Sequence, residues 1–163
     1  MHLVRFTQGI MREPAPVSSG LRELIASYTS YLNECEFCMK SHAAVSSERL
    51  GDDLVRNVLC DFESSSWEER EKALLRFAGK VTKDLLAITL ADIDQLRAAG
   101  WNDEAIFHTI TVCALFNFYN RWVPRVFMPF QNEGHRLHGK VLAQKGYHPK
   151  LREQHLENTI KVK

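Results

Sequence analysis

The feature that most constrains this chain is its longest run without Asp, Glu, Lys or Arg, from Ala105 to Asn120. It holds His108, Thr109, Thr111, Asn117 and Asn120. It is shorter than the ~20 apolar residues that span a membrane, so it reads as a buried helix, and a buried helix needs other elements to bury it. The rest of the sequence supplies helices. Ser18 or Ser19 can cap a first helix from about Gly20 to Leu32, with Leu21, Leu24, Ile25, Tyr28, Tyr31 and Leu32 at helical spacing. Asn33, with Glu36 three residues on, reads as a capping box that opens a second helix, closed near Ser46 or Leu50 by Gly51. A short helix starts at Asp52 or Asp53 and runs through Val55, Val58 and Leu59.

Punctuation of the same kind continues. Glu63 to Ser66 reads as a turn, and Ser66 with Glu69 as a box opening a helix from Trp67 to about Lys80. Thr89 with Asp92 opens the next helix, which ends at Gly100. Asn102 caps a long helix from Asp103 to about Trp122, with Pro124 and Pro129 at its exit. A last helix spans about Glu133 to Gln144 and stops near Gly146 and Pro149. No alternating pattern indicates a strand. The sequence therefore predicts an all-α, single-domain bundle of six to eight helices over 18–146. An irregular N-terminal arm (1–17, with Pro14 and Pro16) precedes it and a polar tail (147–163) follows.

Within this scaffold, Asn33 to His42 carries the chemistry. Cys35, Cys38 and His42 stand at i, i+3 and i+7 and share one helix face. Lys and Arg number 21 against 20 acids, a net charge of +1, which makes no electrostatic case for nucleic acid or an anionic membrane. Met1 to Pro16 has no apolar core of a signal peptide and carries Arg5, Arg12 and Glu13. The expected compartment is the cytosol, where a C-x-x-C pair is redox-active or metal-binding rather than a structural disulfide. Cys60 and Cys113 read as buried small hydrophobes. Tyr28, Tyr31, Phe116 and Phe118 read as core, and His135 with His138 as a surface pair.

At Cys35 the first helical turn favours a thiolate, but Glu34 and Glu36 oppose it. Cys38 has His42 one turn later to accept its proton. The attack is therefore assigned to Cys38 and the resolving role to Cys35. Glu23 is the candidate orienting acid. In one straight helix Glu23 and Cys38 would lie ~22 Å apart, so they meet only if the chain breaks near Asn33 and folds back. The alternative is a zinc site: the two cysteines and His42 give three ligands, with Glu23 as a possible fourth.

The pattern Glu23, eleven residues, Cys35-x-x-Cys38, three residues, His42 resembles the alkylhydroperoxidase D-like branch of the carboxymuconolactone decarboxylase superfamily. Arg22 to Ile25, Ser41 to Ala44, Phe77 to Lys83 and Asp92 to Gly100 fit the same pattern. Ala114 to Arg121 is similar to its peroxidase-related members, and the likeness covers about residues 20–122. The resemblance implies an all-helical fold and an antioxidant oxidoreductase that reduces hydroperoxide without haem or metal. Its only cofactor would be the redox-active pair Cys35 and Cys38, reset by an external dithiol. Glu23, through water and His42, would draw the proton from Cys38. Cys38 would become a sulfenic acid, and Cys35 would condense with it. The resemblance also implies a homo-oligomer, a trimer or hexamer. Phe37 departs from the family, whose members carry histidine or tyrosine there; phenylalanine cannot relay a proton. The competing class is a non-catalytic helical oligomer, redox-sensing or zinc-binding.

Overall fold

The computed structural model describes residues 2–126 and 132–147. Among these residues eight helices follow one another: α1 His2–Arg12, α2 Ser19–Leu32, α3 Glu36–Leu50, α4 Asp52–Asp61, α5 Glu69–Lys83, α6 Leu90–Ala98, α7 Asp103–Val126 and α8 Asn132–Lys145. A 3₁₀ turn, Leu85–Ala87, joins α5 to α6, and no strand occurs among the described residues.

The all-α expectation holds, and α2 is its axis. Ten of the fourteen residues of α2 are buried, Arg22 and Glu23 among them. Leu24 and Ile25 meet Leu74 and Leu75 of α5, Leu96 of α6, and Val112 and Phe116 of α7 in one apolar cluster. Each of these side chains contributes roughly 1.5–3 kcal/mol by leaving water. α3 lies between α2 and α8. At the α3–α8 contact a side chain on Gly139 would meet the Ala44 methyl at 2.6 Å, so the helices approach as closely as they do because position 139 is glycine.

The charge-free run behaves as half of a buried helix. Ala105, Ile106, Thr109, Val112, Cys113, Leu115 and Phe116 are buried, while Phe107, Ile110 and Phe118 on the opposite side are exposed. Tyr31 is exposed too, so Tyr31 and Phe118 are not core residues. Cys113 is buried, but Cys60 is exposed, against expectation. Among the described residues no helix is long and apolar enough to cross a membrane.

Several helix ends match the sequence reading. The Ser18 hydroxyl accepts from the Leu21 amide, Thr89 and Asp92 form the expected box, and the Asn102 side-chain Oδ1 accepts from the Ala105 amide. Others do not. The arm at 1–17 is not irregular, since residues 2–12 form α1, with Met11 in the core. Its inward stripe is Leu3, Thr7, Ile10 and Met11, of which Thr7 and Met11 are buried and the other two half-buried, and Thr7 hides the periodicity because it enters the core as a polar residue. The Thr7 hydroxyl is satisfied by the Leu3 carbonyl and the Tyr119 hydroxyl. Arg22 ties down the end of α1 by donating to the carbonyls of Ile10 and Glu13.

The Ser66–Glu69 box does not form. Helix α5 starts at Glu69, because Ser65 and Lys72 hold 62–67 as a turn through the carbonyls of Phe62, Glu63 and Ser65. Helix α7 continues through Pro124 to Val126. Pro129, Pro149 and the tail from 148 onward lie outside the described residues.

Candidate active site

The break between α2 and α3 builds the site. Asn33 does not cap α3 but ends α2. The Cys35 amide donates to the Ser30 carbonyl at 2.9 Å and the Glu34 amide to the Tyr31 carbonyl at 3.0 Å, with Glu34 at φ 57°. This is the Schellman pattern, with a glutamate where glycine is usual. The Asn33 side-chain amide donates instead to the Oδ1 atoms of Asn117 and Asn120, both at 3.0 Å, which fixes the turn onto α7. Cys35 becomes the residue that precedes α3.

The turn sends α3 back along α2. The Ser27 hydroxyl donates to the Met39 carbonyl and the Ser46 hydroxyl to the Gly20 carbonyl, at 2.8 and 3.0 Å. That antiparallel register brings Glu23 opposite His42. Glu23 is fully buried. Its Oε2 accepts from His42 Nδ1 at 2.6 Å. Its Oε1 accepts from Arg12 Nη1 at 2.5 Å and from the Tyr147 hydroxyl at 2.9 Å. Burial by itself would raise the Glu23 pKa; the charge and hydrogen bond of His42, then those of Arg12, outweigh it and hold the carboxyl below its ordinary range. Burial and the neighbouring carboxylate push the Tyr147 phenol well above its ordinary value, so it remains a donor.

Arg12 and Tyr147 escaped the sequence reading. One stood in the supposed arm and the other in the supposed tail, and no local pattern marked either. Arg12 ends α1 and also donates to the carbonyls of Met11 and Leu142. Tyr147 follows Gly146, which has φ 66° and would press a side chain into Gln8. The Gln8 side chain accepts the Tyr147 amide at 2.7 Å.

The two thiols are free and buried, 4% and 3% exposed at Cys35 and Cys38. Neither is the more accessible partner for a reductant. They share a hydrogen bond, and the Asn120 amide reaches both. The same amide donates to the Ser30 hydroxyl at 2.9 Å, so Asn120 is a third residue of the site that sequence reasoning missed. The Cys38 thiol donating to Cys35 pulls the Cys35 pKa down to about 6; burial opposes this, while the Cys38 backbone, Asn120 and His42 assist. Cys38 is pushed up, first by that shared bond and then by burial. The shared bond therefore favours the thiolate at Cys35 over Cys38. Glu34 and Glu36 do not prevent it, because both are exposed and Glu36 pairs with Lys40 at 2.6 Å.

On the far side of α3, His135 is not a surface residue. It is 6% exposed, its Nδ1 lies 2.9 Å from the Ser41 hydroxyl, and its ring meets the Phe37 ring edge-on at 5.2 Å. Among the described residues, no group of three or more His, Cys, Asp or Glu side chains is arranged to hold a metal ion.

No protein-family model matches the chain, and no curated protein matches it. Solved structures do. An uncharacterized peroxidase-related protein from Silicibacter sp. TM1040 is 28% identical with a TM-score of 0.76, over 82% of this chain and 71% of that one. The alkylhydroperoxidase AhpD core of a peroxidase-related protein from Ralstonia eutropha JMP134 is 26% identical with a TM-score of 0.77, over 86% and 74%. A debrominase shares the fold at 19% identity and a TM-score of 0.66, over 80% and 70%. The fold is thus that of the alkylhydroperoxidase D-like proteins. The first two of these structural relatives are peroxidase-related proteins, consistent with the superfamily that the sequence resembles.

Proposed function

We propose that the protein is a thiol-dependent hydroperoxide reductase in which Cys35 and Cys38 are the redox couple and His42, oriented by Glu23, is the base. One observation carries the reading: a buried carboxylate–imidazole pair stands one helical turn from two free, buried thiols. The peroxidase-related character of the structural relatives supports it. Fold alone does not decide the reaction, as the debrominase illustrates.

In this reading the proton of Cys38 passes to Cys35 across their shared bond or to His42. The less acidic sulfur, once ionised, is the stronger nucleophile, which favours Cys38 for the attack. Its thiolate displaces an alkoxide from the O–O bond and becomes a sulfenic acid; the alkoxide takes a proton and leaves as the alcohol. The Cys35 sulfur then displaces water from Cys38, forming the disulfide. An external dithiol restores both thiols and is itself oxidised to a disulfide. The chain works as a homo-oligomer in the cytosol, and the exposed Phe107, Ile110 and Phe118 on α7 offer an apolar face for a second copy.

The test is consumption of an organic hydroperoxide with a panel of dithiols. Cys38→Ser abolishes it, whereas Cys35→Ser accumulates a sulfenic acid that dimedone traps. Trapping in Cys38→Ser instead would exchange the two roles. Oxidation that changes oligomer size without turnover would favour a redox sensor over an enzyme. Phe37→His raises turnover if the missing relay limits the reaction.

A further inference from the structure

We propose that Arg12 and Tyr147 are positioning residues that, from the two ends of the described chain, hold Glu23 ionised and reserve its Oε2 for His42. The proposal rests on the reading of Glu23 and His42 as the base. Both other donors to Glu23 fall on Oε1, Arg12 Nη1 at 2.5 Å and the Tyr147 hydroxyl at 2.9 Å. A carboxylate filled in this way presents one remaining oxygen, and His42 Nδ1 occupies it at 2.6 Å. Because the acceptor carries no proton, Nδ1 must donate, and in the neutral ring Nε2 is then the basic nitrogen. The pair thus sets the imidazole tautomer without touching the thiols.

The two residues also hold each other. The Arg12 guanidinium lies over the Tyr147 ring at 4.8 Å and donates to the Leu142 carbonyl, and Gln8 on α1 accepts the Tyr147 amide. Helix α1 and the end of α8 therefore close over Glu23 as one unit. The charged and titratable groups around Glu23 are Arg12 from α1, Arg22 on α2, His42 from α3, and Tyr147 after α8 with Tyr119 of α7 behind it. Arg12 is the permanent cation that offsets burial of the carboxylate, and His42 adds its hydrogen bond.

The experiment uses the full chain, reduced, as wild type, Tyr147→Phe, Arg12→Met and Arg12→Lys. Carbon NMR of labelled glutamate follows the Glu23 titration, nitrogen NMR the His42 tautomer, and iodoacetamide alkylation against pH the thiols. We expect the Glu23 midpoint to rise by about one unit, a tenfold change, in Tyr147→Phe and by more in Arg12→Met. Arg12→Lys should recover part of the shift, and the acid limb of alkylation should move with it. Tyr147→Phe removes one oxygen and keeps the amide bond to Gln8, so it reports even if Arg12→Met fails to fold. Variants that lose thermal stability alone, with Glu23, His42 and alkylation unchanged, would overturn the proposal. Wild-type protein without peroxide turnover, but with the titrations displaced as expected, would instead remove the peroxidase reading and leave the positioning role standing.

Discussion

Glu23 and His42 are 19 positions apart in the chain, and their carboxylate and imidazole meet at 2.6 Å inside the protein. Helix α2 supplies one and α3 the other. The Schellman turn at Asn33 to Cys35 brings the two helices together. The contact buries a charge that must stay paired, so it couples the chemistry of the site to the stability of the fold.

Glu23→Gln should cost roughly 3–5 kcal/mol, the range for removing one partner of a buried ion pair, because Arg12 is left without its anion. The same carboxylate gives the wild type an acid limit. Its folded pKa lies below the unfolded value, so its contribution is fully present above the unfolded pKa and is lost as pH falls through the folded one. Urea denaturation from neutral pH down into the acid range should show a decline in the wild type that is shallower in the Gln variant. Equal slopes would show that Glu23 is not the group responsible.

The thiol pair should titrate in two well-separated steps. Thiolate absorbance of the reduced protein is expected to rise with a midpoint of about 6, the second proton leaving only far into the alkaline range. The first step belongs to the pair. Cys35→Ser should remove it, and Cys38→Ala should move it upward, since the donor that stabilises the anion is gone. A single step near the ordinary thiol value would mean that the shared bond is absent in solution.

Asn120 joins the turn to the sulfurs. Replacing it with Ala leaves the Ser30 hydroxyl and the Asn33 amide short of a partner each, at a cost of about 1–3 kcal/mol. It should also raise the first thiol midpoint, because a donor to the thiolate is lost. Calorimetry and the absorbance titration read the two effects separately, and an unchanged midpoint would confine Asn120 to a structural role.

Glu34 sits in the left-handed region at φ 57°, a conformation that costs a non-glycine residue roughly 1–2 kcal/mol. Glu34→Gly should therefore stabilise the protein by up to about 1 kcal/mol after the greater freedom of glycine in the unfolded chain is counted. The thiol titration should not change, since the exposed glutamate exerts little field on Cys35. A fall in melting temperature would mean that the side chain supports the turn in a way that offsets its backbone strain.

The helices and the stripe of Cys35, Cys38 and His42 were legible because each is written in residues a few positions apart. Apolar spacing, the Thr89–Asp92 box and the Asn102 cap act within one or two turns, and their energies do not wait for the fold. Helix α1 was hidden because Thr7 occupies an apolar slot and finds its partners only after folding. The Asn33 turn was misread because its left-handed residue is a glutamate, and its asparagine bonds across to α7 rather than to its own amides. By itself the sequence determined an all-helical chain and a stretch that carries two thiols and an imidazole. Tertiary structure decided which groups join that stretch, since Arg12, Asn120 and Tyr147 reach it only through packing between distant helices. The physical reason is one of range: backbone hydrogen bonding and apolar periodicity are local, whereas the partners of a buried charge are whatever the packed core delivers to it.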